Sequence, residues 1–200
     1  MNPHLHSFKQ FLLSHSPDVE NFWTDIAEIC EIKHLKQGES LLRKGQKCNY
    51  FYFRESGIMR AFDIEDNGNE RTRVLFTKQR LFTNYESYEF DEISNLNIVS
   101  INESVIICIR KDQYVKLLYK HPEFSMLMIR LLMMTITRIL QRRYKLDILK
   151  PYDRYLLLKN YIPQVFNDVP QKYLASYLNI TTVSLSRMNK RYIEELKENK

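Results

Sequence analysis

Between residues 3 and 31 the apolar side chains fall at helical spacing, first Phe8, Phe11 and Leu12, then Phe22, Trp23, Ile26 and Ile29, with Ser16-Pro17 as the break. This pattern predicts two short helices. From Ile32 onward the apolar runs become short and are punctuated by Gly38, Gly45, Gly57 and Gly68, at intervals of 7, 12 and 11 residues. Such punctuation belongs to a meander of strands. Ser40–Leu42, Tyr50–Phe53, Ile58–Phe62, Arg71–Phe76, Ile98–Ile101 and Val105–Ile109 are the expected ones, with Asn67-Gly68 at a hairpin turn. Together they predict an antiparallel β-roll or jelly roll. No period holds over residues 77–97, where Glu86, Glu89, Asp91 and Glu92 crowd together, so a long loop or a short helix is expected there.

Beyond Ile109 helical periodicity returns. Asp112–Tyr119 predicts one helix, ended at His121-Pro122, and Glu123–Leu149 then runs without Gly or Pro. As a single helix that segment is about 40 Å long at ~1.5 Å per residue. Its apolar residues form no single stripe: Phe124, Leu127, Met128, Leu131 and Leu132 are joined by Met126, Ile129, Met133, Met134 and Ile136. A helix apolar nearly all round needs two surfaces to bury against. The β-roll supplies one, and a second copy of the chain across a two-fold axis is expected to supply the other. The alternative is a central core helix of a monomer. Pro151 breaks the segment, Tyr152–Tyr161 predicts a further helix, and Pro163–Val169 leads into the last motif.

That motif, Val169–Arg191, has the spacing of two short helices crossed by a tight turn. Leu174, Ala175 and Leu178 share one helical face, Leu185 and Met188 share another, and Ile180 lies between them. Asn179 stands where a left-handed residue would end the first helix, and Thr181 where a hydroxyl would cap the second. A helix-turn-helix is expected, with Thr181, Thr182, Val183, Ser184, Ser186, Arg187, Lys190 and Arg191 as its DNA-contacting set. The first turn of the second helix can approach base edges. Arg187 has the planar fork that pairs with guanine O6 and N7, and Lys190 and Arg191 can neutralise phosphates. A helical hairpin with a solvated basic side is the competing account of the same spacing.

Charge placement bears on that choice. The formal charge is +6, yet residues 1–122 carry 16 Lys and Arg against 17 Asp and Glu, whereas residues 123–200 carry 14 against 7. The positive excess therefore lies entirely in the half with the helix-turn-helix, and a polyanion such as double-stranded DNA is its simplest partner. Cys30, Cys48 and Cys108 are too dispersed for a disulfide framework or a CxxC metal pair, and the five histidines lack metal-ligand spacing, so no metal and no cofactor are expected. The most apolar run, Met126–Met134, is interrupted by Arg130, and no basic-then-apolar leader opens the chain. Neither a membrane span nor a signal peptide fits, and the cytoplasm is the expected compartment. With no nucleophile–base pair or Gly-rich phosphate loop, an enzyme is not expected.

The order of these features resembles the Crp/Fnr family of bacterial transcription regulators. The resemblance rests on Gly38-Glu39 followed by Gly45, on Gly57 after an aromatic strand, on the long helix, and on PQKYLASYLNITTVSLSR, which is similar to the branch of the family common in Bacteroidetes. It implies a cyclic-nucleotide-binding-type β-roll, a dimerising helix and a DNA-binding helix-turn-helix. By position, Thr182, Val183 and Arg187 match the base-reading residues. Family members that hold cyclic AMP use a Gly-Glu turn and a following Arg, where this chain has Phe82-Thr83-Asn84 and then Ser94-Asn95-Leu96. From Leu81 to Ile109 there is no Lys or Arg and there are five acids, a poor place for a cyclic phosphate unless Arg60, Arg71 or Arg73 reaches in from a strand. The N-terminal cysteine cluster of the iron–sulfur branch is also missing. Only nine residues follow Arg191, and they read as a helical tail rather than the β-hairpin wing common in the family.

The expectation is thus a mixed α+β protein. Residues 1–122 form a cyclic-nucleotide-binding-like β-roll sensor domain, 123–149 a dimerisation helix, and 150–200 an all-α helix-turn-helix domain without a wing. The expected function is that of a homodimeric, sequence-specific transcription regulator, joined through Glu123–Leu149. A small-molecule effector other than cyclic AMP would lie at Phe82, Thr83, Asn84 and Asn95. The alternative is a degenerate ligand-binding or protein-interaction module that has lost DNA binding.

Overall fold

The computed structural model describes residues 2–198, with side chains at all of these except 142, 143, 146 and 147. Eight strands between residues 30 and 110 form two antiparallel four-stranded sheets. In one sheet the order is β1 (Cys30–Leu35), β8 (Ser104–Arg110), β3 (Tyr50–Ser56), β6 (Arg80–Phe82). In the other it is β2 (Ser40–Leu42), β7 (Asn97–Ser100), β4 (Met59–Ile64), β5 (Glu70–Phe76). Both faces of the first sheet are covered, which is why β3 and β8 read as continuous apolar runs. Along them alternate residues enter different cores. Tyr52, Ile106 and Cys108 point between the sheets to meet Met59, Ala61, Phe76 and Ile98. Phe51, Phe53, Ile107 and Ile109 point outward into a helical layer.

That layer is built from α1 (Pro3–Leu13), α2 (Val19–Glu28), α4 (Lys111–Lys120) and the start of α5 (Pro122–Ile148). Phe8, Leu12, Phe22, Trp23 and Ile26 bury the faces predicted by their spacing, and Phe8 stacks on Phe53 at 4.6 Å between ring centres. A third core lies on the outer side of the second sheet, where Ile58, Leu75 and Ile101 meet α6 (Pro151–Tyr161), α7 (Val165–Asp168), α8 (Gln171–Leu178) and α9 (Thr182–Glu198). The expected mixed α+β architecture, with two short helices and an antiparallel roll followed by the long helix and the C-terminal helices, is the one observed.

The differences are local. Every expected strand is present, and most extend by one to three residues at an end. Strands β1 and β6 were not expected as such, whereas the short helix α3 (Tyr85–Phe90) is one of the two forms expected of residues 77–97. The α3 helix lies within the aperiodic segment, and Asn84 caps it by accepting from the Ser87 N–H at 3.2 Å. Helix α5 is 27 residues long, and Phe124, Leu127, Met128 and Leu131 bury its first part against the helical layer. Met126, Ile129, Met133, Ile136 and Leu140 on the same helix are between 41% and 66% exposed.

Candidate nucleic-acid interface

The crossing of α8 and α9 follows from local chemistry. Leu174, Ala175 and Leu178 are buried on one side of α8, and Leu185 is buried on the facing side of α9. Small Ala175 lets the two backbones approach. Asn179 adopts the left-handed conformation, φ 57° and ψ 49°, which ends α8 and lets the Ile180 N–H return to the Ala175 carbonyl at 3.0 Å. The Thr181 hydroxyl accepts from the Ser184 N–H at 3.1 Å, satisfying one of the free donors that open α9.

With Leu185 anchored, Thr182, Val183, Ser186, Arg187, Lys190 and Arg191 are all exposed, Thr181 is exposed at the cap, and Ser184 is half-buried. The cations among them differ in availability. Arg187 makes no ion pair among the described residues. Lys190 lies 3.9 Å from Glu194, a loose surface pair that a phosphate can replace. Arg191 is more committed: its Nε donates to Glu195 at 2.7 Å and its guanidinium covers the Tyr152 ring at 3.9 Å. The Tyr152 hydroxyl donates to the other Glu195 oxygen at 2.6 Å, and the Tyr155 hydroxyl donates to Asn189 at 2.9 Å. These bonds fasten the second half of α9 to α6. The Tyr152 and Arg191 donors hold the Glu195 carboxyl below its ordinary 4.5. Helix α9 continues to Glu198, and among the described residues every strand lies between residues 30 and 110.

The roll residues singled out from sequence are already bonded within the chain. Phe82 packs between Phe76 and Tyr52, with ring centres 4.4 and 5.3 Å away. The Thr83 hydroxyl donates to the Tyr50 carbonyl at 2.9 Å, and the Asn84 amide donates to Ser94 Oγ at 2.6 Å. Asn95 is exposed and donates to Glu86 at 3.1 Å. Phe82, Thr83 and Asn84 are brought together in the buried floor of the roll, while Asn95 stands outside it. Residues 32–121 match the cyclic nucleotide-binding domain family. No curated protein matches the chain in sequence. Among solved structures, the c-di-GMP responsive global regulator CLP of Xanthomonas campestris is similar with a TM-score of 0.67 at 12% identity, over 88% of this chain and 92% of that one. FixK2 of Bradyrhizobium japonicum gives 0.66 at 13%, over 84% and 86%. The sensor domain of the transcriptional regulator DNR of Pseudomonas aeruginosa gives 0.54 at 18%, over 73% and 97%. At these identities the likeness is one of fold.

None of the three strand arginines Arg60, Arg71 and Arg73 is left without a carboxylate partner to meet a cyclic phosphate. Arg60, the first of the three arginines that could have reached inward, follows Met59 and precedes Ala61, both of which point between the sheets. Its own side chain therefore takes the outer face, where it pairs with Glu70. Arg71 pairs with Glu65 at 3.0 Å, and Arg73 grips both Asp63 oxygens at 2.7 and 2.8 Å. All three charges are matched by carboxylates of the same hairpin. Two contacts near the helix-turn-helix are not legible in the sequence: the stacking of Arg60, expected only as an inward-reaching residue, on Tyr173, and the bond from the Thr72 N–H to Ser176, each joining residues more than a hundred positions apart. Only tertiary docking reveals them. Among the described residues no helix is long and apolar enough to cross a membrane.

Proposed function

We propose that this chain is a homodimeric, sequence-specific DNA-binding transcription regulator acting in the cytoplasm and not an enzyme. Residues 1–122 form its sensor-type roll, 123–149 its dimerisation helix and 150–200 a helix-turn-helix domain without a wing. The observation that carries this is the first two turns of α9. Thr182, Val183, Ser186 and Arg187 stand exposed on a helix whose opposite side is fixed by Leu185 and whose start is set by the Thr181 cap. Such a turn presents base-edge donors and a methyl-bearing contact to a major groove, with Arg187 as the guanine reader. The positive excess of residues 123–200 supports the same partner. Two copies related by a two-fold axis would place their recognition helices in successive major grooves about 34 Å apart. No effector chemistry is assigned to the roll, since Thr83 and Asn84 are spent on internal hydrogen bonds.

Selection of duplexes from a random pool, followed by salt titration on the enriched site, tests this reading. A two-fold-symmetric motif and a steep fall of affinity with salt are expected. Arg187→Ala should lose about 1–3 kcal/mol of binding and relax specificity at one base pair per half-site. No enriched motif, or binding indifferent to Arg187, would instead identify a protein-interaction module.

A further inference from the structure

We propose that Val183 reads a thymine methyl group, so that each half-site carries a thymine within two base pairs of the guanine met by Arg187. This rests on the DNA-binding reading above and adds which base the first turn of α9 selects. At about 100° per residue, Val183 and Arg187 each stand two residues from Leu185, on the side of α9 opposite to it and within about 40° of one another. Leu185 is 3% exposed, whereas Val183 is 59% exposed. The line from Val183 to Arg187 is therefore the crest of the helix, the part that goes deepest into a groove entered by this face.

The other residues of the face narrow the chemistry. The Thr181 hydroxyl accepts from the Ser184 N–H at 3.1 Å and lies 2.9 Å from the Ser184 hydroxyl, so both hydroxyls are occupied by the cap. Of the exposed set that remains, Thr182, Val183, Ser186, Arg187 and Lys190, no side chain is a carboxylate or an amide. Cytosine is met by Asp or Glu, and adenine bidentately by Asn or Gln, so neither base has its usual partner here. Guanine is served by Arg187. What is left at the crest is a pair of methyl groups, and thymine is the one base that offers a methyl group to the major groove.

The side chain suits that contact. A β-branched residue in a helix is held almost wholly in one χ1 rotamer, so the Val183 methyl groups are ordered before they bind and little entropy is lost on contact. On a helix face that stays in water the same residue gains no burial, and its helix propensity is below that of Ala, Lys or Glu. Spacing then places the two bases. Residues four apart in a helix have Cβ atoms about 5–6 Å apart, and long side chains lean back toward the N-terminus of their helix, which brings the Arg187 fork toward the base beside Val183. With successive bases of a strand about 3.4 Å apart, the methyl group and the guanine fall on adjacent or next-adjacent base pairs.

Deoxyuridine differs from thymidine only in lacking that methyl group, which isolates the contact in the full chain. In the duplex that wild type selects, each thymine of a half-site is replaced in turn. One replacement per half-site, within two base pairs of the guanine whose selection is lost in Arg187→Ala, should weaken binding about fourfold, the burial of one methyl group. Val183→Ala, whose thermal melt should equal or exceed that of wild type, should bind the thymine duplex about fourfold more weakly. Its response to deoxyuridine at that position should fall below twofold. Wild type that binds every deoxyuridine duplex as tightly as the thymine duplex overturns the inference, as does a selected half-site with no thymine near that guanine. A fourfold response that persists in Val183→Ala also overturns it, because another side chain then reads the methyl group. If wild type selects no duplex at all, the DNA-binding reading itself falls and takes this inference with it.

Discussion

At Asn179 a single backbone conformation decides whether two helices cross. Its φ of 57° is one that L residues other than asparagine and aspartate avoid, by about 1–2 kcal/mol, and that achiral glycine adopts freely. Asn179→Ala should therefore lower stability by about 1 kcal/mol, whereas Asn179→Gly should leave the thermal melt near wild type; equal melts for both would show that the turn is not held in this conformation. Gly57 between β3 and β4 is more constrained. Its φ is +79°, and a Cβ there would strike the Ser104 side chain and the Glu103 carbonyl. Gly57→Ala combines a left-handed penalty with a backbone clash, a loss of roughly 2–5 kcal/mol readable by denaturant unfolding. Asn179 and Thr181 were legible in the sequence because a helix stop and a helix cap are chemistry within a few residues of the chain. Arg60, Tyr173 and Ser176 were not. Ser176 lies mid-helix, where a serine says nothing in particular, and Arg60 sits in a strand where its outward placement matters only because α8 covers it.

At the scale of elements, apolar patterning revealed what it can reveal. Strands β3, β4, β5 and β8 and helices α5, α8 and α9 carry their own periodicity, and their existence followed from it. Strand β1 did not, because Glu31, Lys33 and His34 give it the polar look of a loop, and it is held at the sheet edge by pairing with β8. Strand β6 is only three residues long, and α3 is held by the buried polar residues Asn84, Ser87 and Ser94, which hydrophobic patterning does not register. The clamp of hydrogen bonds that fastens α9 to α6 carries a pH dependence. Because the folded state holds the Glu195 carboxyl below its ordinary 4.5, the carboxylate contributes stability above that value. The contribution is lost as pH falls through the depressed folded value. Melts of wild type and Glu195→Gln should therefore differ at neutral pH and converge in acid. A difference independent of pH would mean that packing, and not the charged bonds to Tyr152 and Arg191, fastens α9.

For the molecule as a whole, the decisive surface is the outer side of α5. Met126, Ile129, Met133, Ile136 and Leu140 recur at intervals of 3, 4, 3 and 4 residues, the heptad spacing of a coiled-coil seam, and all are exposed in the single chain. The opposite side of the same helix is buried by Phe124, Leu127, Met128 and Leu131. A helix with one face in its own core and a regular apolar stripe on the other suits the two-fold partner of the function proposed above. Two glutamates placed in the seam, Ile136→Glu with Leu140→Glu, would put four carboxylates against one another across the axis. Their desolvation and repulsion exceed what a short seam supplies. Sedimentation should then show a monomer where wild type is a dimer, with the β-roll melt retained because neither residue belongs to a buried core. The proposed DNA binding depends on the same seam. In the regulator proposed above, a single helix-turn-helix engages one half-site, and the second half-site gains its strength from being tethered at high effective concentration. The seam variant should therefore lose affinity for a full two-half-site duplex by at least tenfold while retaining the weak affinity of wild type for an isolated half-site. A monomer that binds the full site as tightly as wild type would separate dimerisation from DNA recognition and leave the heptad stripe without that purpose.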